Sequence, residues 1–144
     1  MEPSPVDLAA RALARRDRSE ADLRRILRRK GVSEAEASEA VASLRDAGAV
    51  DDDRFARGAA EALASRGFGD RAIVLRLQRD GVERELALEA VSALEPEPER
   101  ATRLVGRRGA SPRTARWLVS RGFGRDSIDV ALPAIADSGG SELG

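Results

Sequence analysis

Apolar residues along this chain recur three and four positions apart, the spacing of one helical face, and nowhere sustain the alternation of a strand. Val6, Ala9, Ala10 and Leu13 form a first stripe, Leu23, Ile26 and Leu27 a second, and Ala37, Ala40, Val41 and Leu44 a third. Phe55, Ala59, Ala62 and Leu63 then begin the series again. Between the stripes lies the chemistry that starts and stops helices. Ser4-Pro5 reads as N-cap and N1, Ser19 with Asp22 as a shortened capping box, and Ser33 with Glu36 as a full one. Gly31 sits where a left-handed residue ends the second helix, and Gly48 stops the third.

The segment Leu23 to Val32 recurs as Ile73 to Val82 and again as Thr114 to Phe123. The following helix keeps register too: Val41 and Leu44 match Val91 and Leu94, then Leu132 and Ile135. Three tandem units of three helices are the economical reading. They span residues 5–49, 51–95 and 98–136, with 137–144 as a disordered tail and Glu95-Pro96-Glu97-Pro98-Glu99 as the linker into the third unit. Gly67 and Gly69 separate the first helix of the second unit from the next, and Ser111-Pro112 again reads as N-cap and N1. The fold class is all-α, with Leu27, Phe55 and Leu77 in the core.

Composition narrows the function. The chain has 144 residues, no Cys, no His and no Tyr, which removes disulfides, thiol chemistry and the commonest general base and metal ligand. No apolar run reaches a membrane span, and the Met1 to Pro5 start lacks the marks of a signal peptide, so the expectation is a soluble cytoplasmic protein. Net charge is zero but unevenly placed. Residues 11–30 carry nine basic groups against three acids, and residues 101–125 carry seven arginines and no acid. Residues 31–100 hold sixteen acids against nine basic groups. Two basic regions flanking an acidic middle suit a binder of an anionic partner.

No nucleophile–base pair, glycine-rich phosphate cradle or zinc spacing is present, so neither an enzyme nor a cofactor is expected. Asp51-Asp52-Asp53 falls at a helix start, where carboxylates cap free N–H groups, and consecutive helical residues do not converge on a metal. On a wheel of about 100° per residue, Arg24, Arg25, Arg28 and Arg29 lie opposite the Leu23, Ile26 and Leu27 stripe. Like charges so spaced repel, and the face reads equally as a contact for an anionic partner or as a plain solvated surface. Trp117 sits among Arg113, Arg116 and Arg121 but aligns with Ile26, so it reads as core rather than as a base-stacking platform. The helix after Gly31 begins Glu34-Ala35-Glu36, which disfavours a duplex-reading helix-turn-helix.

Arg15-Arg16-Asp17-Arg18-Ser19-Glu20-Ala21-Asp22-Leu23-Arg24 resembles the opening signature of the RecX family. Gly48-Ala49-Val50-Asp51-Asp52-Asp53-Arg54-Phe55 is similar to its G-Y-L-D-D-x-R-F motif. Arg66-Gly67-Phe68-Gly69 with Ile73, Leu77, Gly81 and Val82 resembles its middle repeat, and Trp117-Leu118 with Arg121-Gly122-Phe123 its third. The resemblance runs over residues 6–135. The chain departs at Ala49 (usually Tyr), Asp70 (Pro), Ala72 (Arg) and Asp80 (Lys), so the middle unit has lost two basic positions. The resemblance implies an elongated, curved body of three three-helix repeats. It also implies a monomeric, non-enzymatic regulator of homologous recombination, DNA repair and the SOS response. Its partner would be the RecA recombinase filament on single-stranded DNA, whose ATP hydrolysis and strand exchange it would limit. Arg24, Arg25, Arg28 and Arg29, then Arg116 and Arg121, are the candidate contacts to DNA or acidic protein. The alternatives are a generic helical-repeat interaction module and a nonspecific single-stranded DNA binder acting alone.

Overall fold

The computed structural model describes residues 2–133. They form nine α-helices and no strand: α1 (Pro5–Arg15), α2 (Glu20–Arg29), α3 (Glu34–Asp46), α4 (Asp52–Ser65), α5 (Asp70–Arg79), α6 (Arg84–Ser92), α7 (Glu97–Arg108), α8 (Pro112–Ser120) and α9 (Arg125–Ala131). The tail expected at 137–144 and the register position Ile135 lie outside the described residues. Three separate cores run in series along the chain. Leu23, Leu27, Val41 and Val50 centre the first, Ile73, Leu77 and Ala87 the second, and Ala101, Leu118 and Phe123 the third. Because many of the buried positions are alanine, the helices approach closely and each core stays thin.

Local chemistry sets most helix ends. The Ser4 and Ser33 hydroxyls accept the Asp7 and Glu36 N–H groups. The reciprocal bond of a full capping box is present at Ser4, where the Asp7 carboxylate accepts the Ser4 N–H. It is absent at Ser33, where the sequence placed it. The first helix is also turned from its expected face. Val6 and Ala10 are exposed, while Ala9 and Ala12 are buried with Leu8 and Leu13 packed beside them. The stripe at positions 5, 8, 9 and 12 packs Leu8 against the core, partly buried, in place of the exposed Val6. Phe55 is half-buried against the second core, and α7 begins inside the stretch read as a linker.

The units are joined by a repeated junction. Ser19, fully buried, accepts the Asp22 N–H at 3.0 Å and donates its hydroxyl to the Asp80 carbonyl at 2.5 Å, at the end of α5. At the equivalent place one unit later, the Gly69 N–H donates to the Arg121 carbonyl at 2.8 Å. The first N–H of α2, on Glu20, donates to the Asp52 carboxylate at 2.8 Å, and the first of α5, on Asp70, to the Glu97 carboxylate at 2.7 Å. In both cases the first residue of one unit's leading helix caps the second helix of the unit before. Backbones meet closely at these junctions. Gly81, at φ +90°, leaves room for Ala21, whose Cβ would lie 2.2 Å from any Cβ placed there, and Gly122, at φ +91°, faces Ala72 in the same way.

Arg100 locks the second junction. It is buried, donates to the Glu95 carbonyl at 2.8 Å and the Phe68 carbonyl at 3.0 Å, and pairs with Asp70. Burial pushes the Asp70 carboxyl above its ordinary range; the Arg100 charge works against that rise and Glu97 adds to it.

Two stability tests follow from these contacts. Gly31 and Gly81 share the same positive φ, but a Cβ at Gly31 would meet nothing within 4 Å. Gly31→Ala should cost about 1 kcal/mol through backbone strain alone. Gly81→Ala should cost roughly 1–3 kcal/mol more through overpacking on Ala21. Equal urea midpoints for the two variants would place the close approach elsewhere. Arg100→Met keeps the apolar stem and strands two carbonyls and Asp70, so it should cost about 3 kcal/mol in the same urea titration.

Candidate nucleic-acid interface

The α2 arginines are presented by a helix whose other side is locked into the first core through Leu23, Ile26 and Leu27. The structure divides them between two grooves, one on each side of α2. Arg24, Arg25 and Arg28 line an open groove of about 320 Å³ with Ala21, Glu34 and Ala37. Arg29 lines a second groove, of about 310 Å³, between α1 and α2. There it joins Arg11, Arg15, Arg18 and Lys30 over Leu8, Ala12 and Ile26, and no carboxylate lines this groove. The division follows the wheel, on which Arg29 is the α2 arginine farthest round from Arg24.

These cations are mostly uncommitted. Among the described residues Arg11, Arg15, Arg24, Arg25, Arg28, Arg29 and Lys30 form no ion pair. Arg18 is the exception, held by Asp22 at 3.1 Å and by the Ala12 carbonyl. Arg25 reaches the Arg79 carbonyl and Arg28 the Val32 carbonyl, each at 3.4 Å and both at the surface. Guanidiniums without ion-pair partners beside open grooves can meet phosphate oxygens in a bidentate fashion, and Glu34 is the one carboxylate that lines either groove. The α1 contribution was missed in the sequence. Its signal was the i,i+4 spacing of Arg11 and Arg15, close to the buried Ala12.

The third unit treats its candidates differently. Arg116 is exposed and unpaired among the described residues. Arg121 is instead engaged within the protein: its guanidinium donates to the Arg66 carbonyl at 2.5 Å and the Gly67 carbonyl at 3.3 Å, and lies 3.7 Å from the centre of the Phe68 ring. It thereby satisfies carbonyls at the C-terminal end of α4, where positive charge is favoured. Trp117 is half-buried against the third core, with the Arg108 and Arg121 guanidiniums 3.8 and 5.5 Å from its centroid. A ring already faced by two guanidiniums is not an open platform for a base.

The middle unit carries the acidic departures, and they too have partners. Asp70 pairs with Arg100, and Asp80 with Arg76 at 3.6 Å. Of the Asp51-Asp52-Asp53 run, Asp51 caps α4, Asp52 caps α2 and Asp53 pairs with Arg57. Among the described residues no group of three or more His, Cys, Asp or Glu converges on a metal position, and no helix is long and apolar enough to cross a membrane.

Comparison with known proteins agrees with this architecture. The family model described as the RecX first three-helix domain matches residues 7–44. A regulatory protein RecX of Stenotrophomonas maltophilia is 34% identical over 137 residues, covering 88% of this chain and 84% of the relative. Another, of Chromohalobacter salexigens, is 33% identical over 140 residues, covering 91% and 92%. The crystal structure of RecX from Lactobacillus salivarius matches with a TM-score of 0.79 over 92% of this chain and 94% of that one, at 20% identity, a likeness of fold. Relatives more than 30% identical across most of both chains, on the same all-helical architecture, place this chain in the RecX family of regulatory proteins.

Proposed function

We propose that this protein is a monomeric, non-enzymatic regulator that binds the RecA filament on single-stranded DNA in the cytoplasm and restrains its ATP hydrolysis and strand exchange. The observation that carries the reading is the pair of basic grooves on either side of α2, rich in arginines without carboxylate partners. Phosphate contact from such grooves supplies affinity without sequence reading, which suits a ligand whose DNA sequence varies. Arg24, Arg25, Arg28 and Arg29 remain the leading contacts, with Arg116 second. Arg121 acts chiefly by holding the second and third units together. The basic grooves also support the simpler reading of a single-stranded DNA binder acting alone. Equal affinity for naked strands and for filaments would favour that reading.

In a RecA ATPase assay on single-stranded DNA, substoichiometric amounts of this protein should lower the hydrolysis rate, because one bound regulator affects many filament subunits. An unchanged rate at molar excess over RecA would refute the regulatory reading. Replacing Arg24, Arg25, Arg28 and Arg29 together with Gln keeps helix propensity nearly constant and removes like-charge repulsion, so the melting temperature should hold or rise slightly. Each single-strand phosphate contact contributes a slope of about −0.7 to the log–log dependence of binding on salt. The quadruple variant should therefore bind filaments more weakly, with a slope shallower by about 1.4 to 2 if two or three contacts are lost. Wild-type affinity and slope in that variant would assign the contacts to Arg116 and its neighbours.

A further inference from the structure

The second unit repeats the groove that holds Arg24, Arg25 and Arg28 in the first, but with different chemistry. With the fifty-residue shift between the units, Arg24 and Arg25 become Val74 and Leu75, and Ser38 on the facing helix becomes Leu88. The resulting groove between α5 and α6 has a volume of about 410 Å³ and is lined by Val74, Leu75, Leu88 and Val91, with Arg71 and Arg84 beside them. Val74 and Val91 are buried, whereas Leu75 is 56% and Leu88 44% exposed. Single exposed leucines are ordinary on a protein surface. Here two of them, from two helices, line one concavity over a buried valine floor.

The charges lining this groove that have no ion-pair partner among the described residues are both positive. Arg71 and Arg84 form no ion pair among the described residues. Its one lining carboxylate, Asp70, is held by Arg100. We propose that this groove docks an acidic amphipathic protein segment, whose apolar anchor sits between Leu75 and Leu88 while its carboxylates meet Arg71 and Arg84. This inference rests on the filament reading above and assigns the segment to the filament protein. Charge complementarity and the apolar floor together select the occupant. A nucleic-acid strand fits less well, because the lining offers no aromatic ring for a base and only two cations for the backbone.

The test uses full-length protein carrying Leu75→Gln with Leu88→Gln, and a second variant carrying Arg71→Gln with Arg84→Gln. Binding is measured to RecA filaments on single-stranded DNA and to the same DNA naked, with melting temperature and sedimentation recorded for each. The leucine variant should melt as wild type does and bind filaments on the order of tenfold or more weakly, as expected for the loss of a buried anchor. Its affinity for naked DNA should be unchanged. The arginine variant should show a smaller loss with a weaker dependence on salt. Wild-type filament affinity in the leucine variant overturns the proposal. So does a parallel loss of naked-DNA binding, which would make the occupant a nucleic acid, or a wild-type dimer that the leucine variant dissolves, which would make it a second copy of this chain. A wild-type protein that binds no filament removes the filament reading, and this inference falls with it.

Discussion

A helix start leaves N–H groups without intrahelical partners, and in α2 and α5 part of that need is met from the neighbouring unit. Asp52 accepts the first N–H of α2, and Glu97 the first of α5. Glu97 also accepts the Gly124 N–H and the Ser127 hydroxyl, so one carboxylate fixes the start of α5 and the start of α9 together. The cap forms only when two units stand in the right relation, and helix completion and unit docking become one event. The glycines at 81 and 122 belong to the same constraint, because a Cβ at either would fall within 2.5 Å of the facing alanine and hold the units apart. Three thin cores are thereby joined in a fixed relation, despite little large apolar surface between them.

Much of this was legible in the sequence because it is written locally. Caps act over three residues and apolar stripes over seven, so Ser4, Ser19, Ser33, Ser111 and the three-unit register all read directly from spacing. What depends on a distant neighbour did not. The face of α1 was ambiguous because positions 6, 9, 10 and 13 and positions 5, 8, 9 and 12 form overlapping stripes, and only packing against α2 and α3 selects between them. Glu97 and Arg100 lie in or beside a proline-rich acidic run that has the composition of a linker. Their partners Asp70, Phe68 and Gly124 stand about thirty positions away along the chain. Trp117 was placed in the core by register, and the guanidiniums over its ring come from residues whose reach the register does not describe.

The candidate interface shows the same division. Counting arginines found both basic regions but could not say which side chains are already occupied. Arg18, Arg54, Arg100 and Arg121 hold carbonyls or carboxylates within the fold. Among the described residues Arg11, Arg15, Arg24 and Arg29 meet no carboxylate. A guanidinium donating to helix-end carbonyls has one edge of its fork committed, and turning it toward a phosphate would leave those carbonyls unsatisfied. Availability, more than the number of positive charges, separates Arg24 from Arg121, although the sequence offered both.

The repeat also separates what must stay constant from what can vary. The junctions constrain the starts of α2 and α5, each capped by a carboxylate of the next unit, and the glycines after α5 and α8, each of which faces an alanine. The exposed lining of the groove between the second and third helices of each unit is under less constraint. It is therefore free to differ: arginines at positions 24 and 25 give way to Val74 and Leu75 on equivalent ten-residue helices. One scaffold thus presents a cationic groove in its first unit and an apolar one in its second. A partner made of both phosphate and protein offers a complementary surface to each, whereas a bare strand complements only the first.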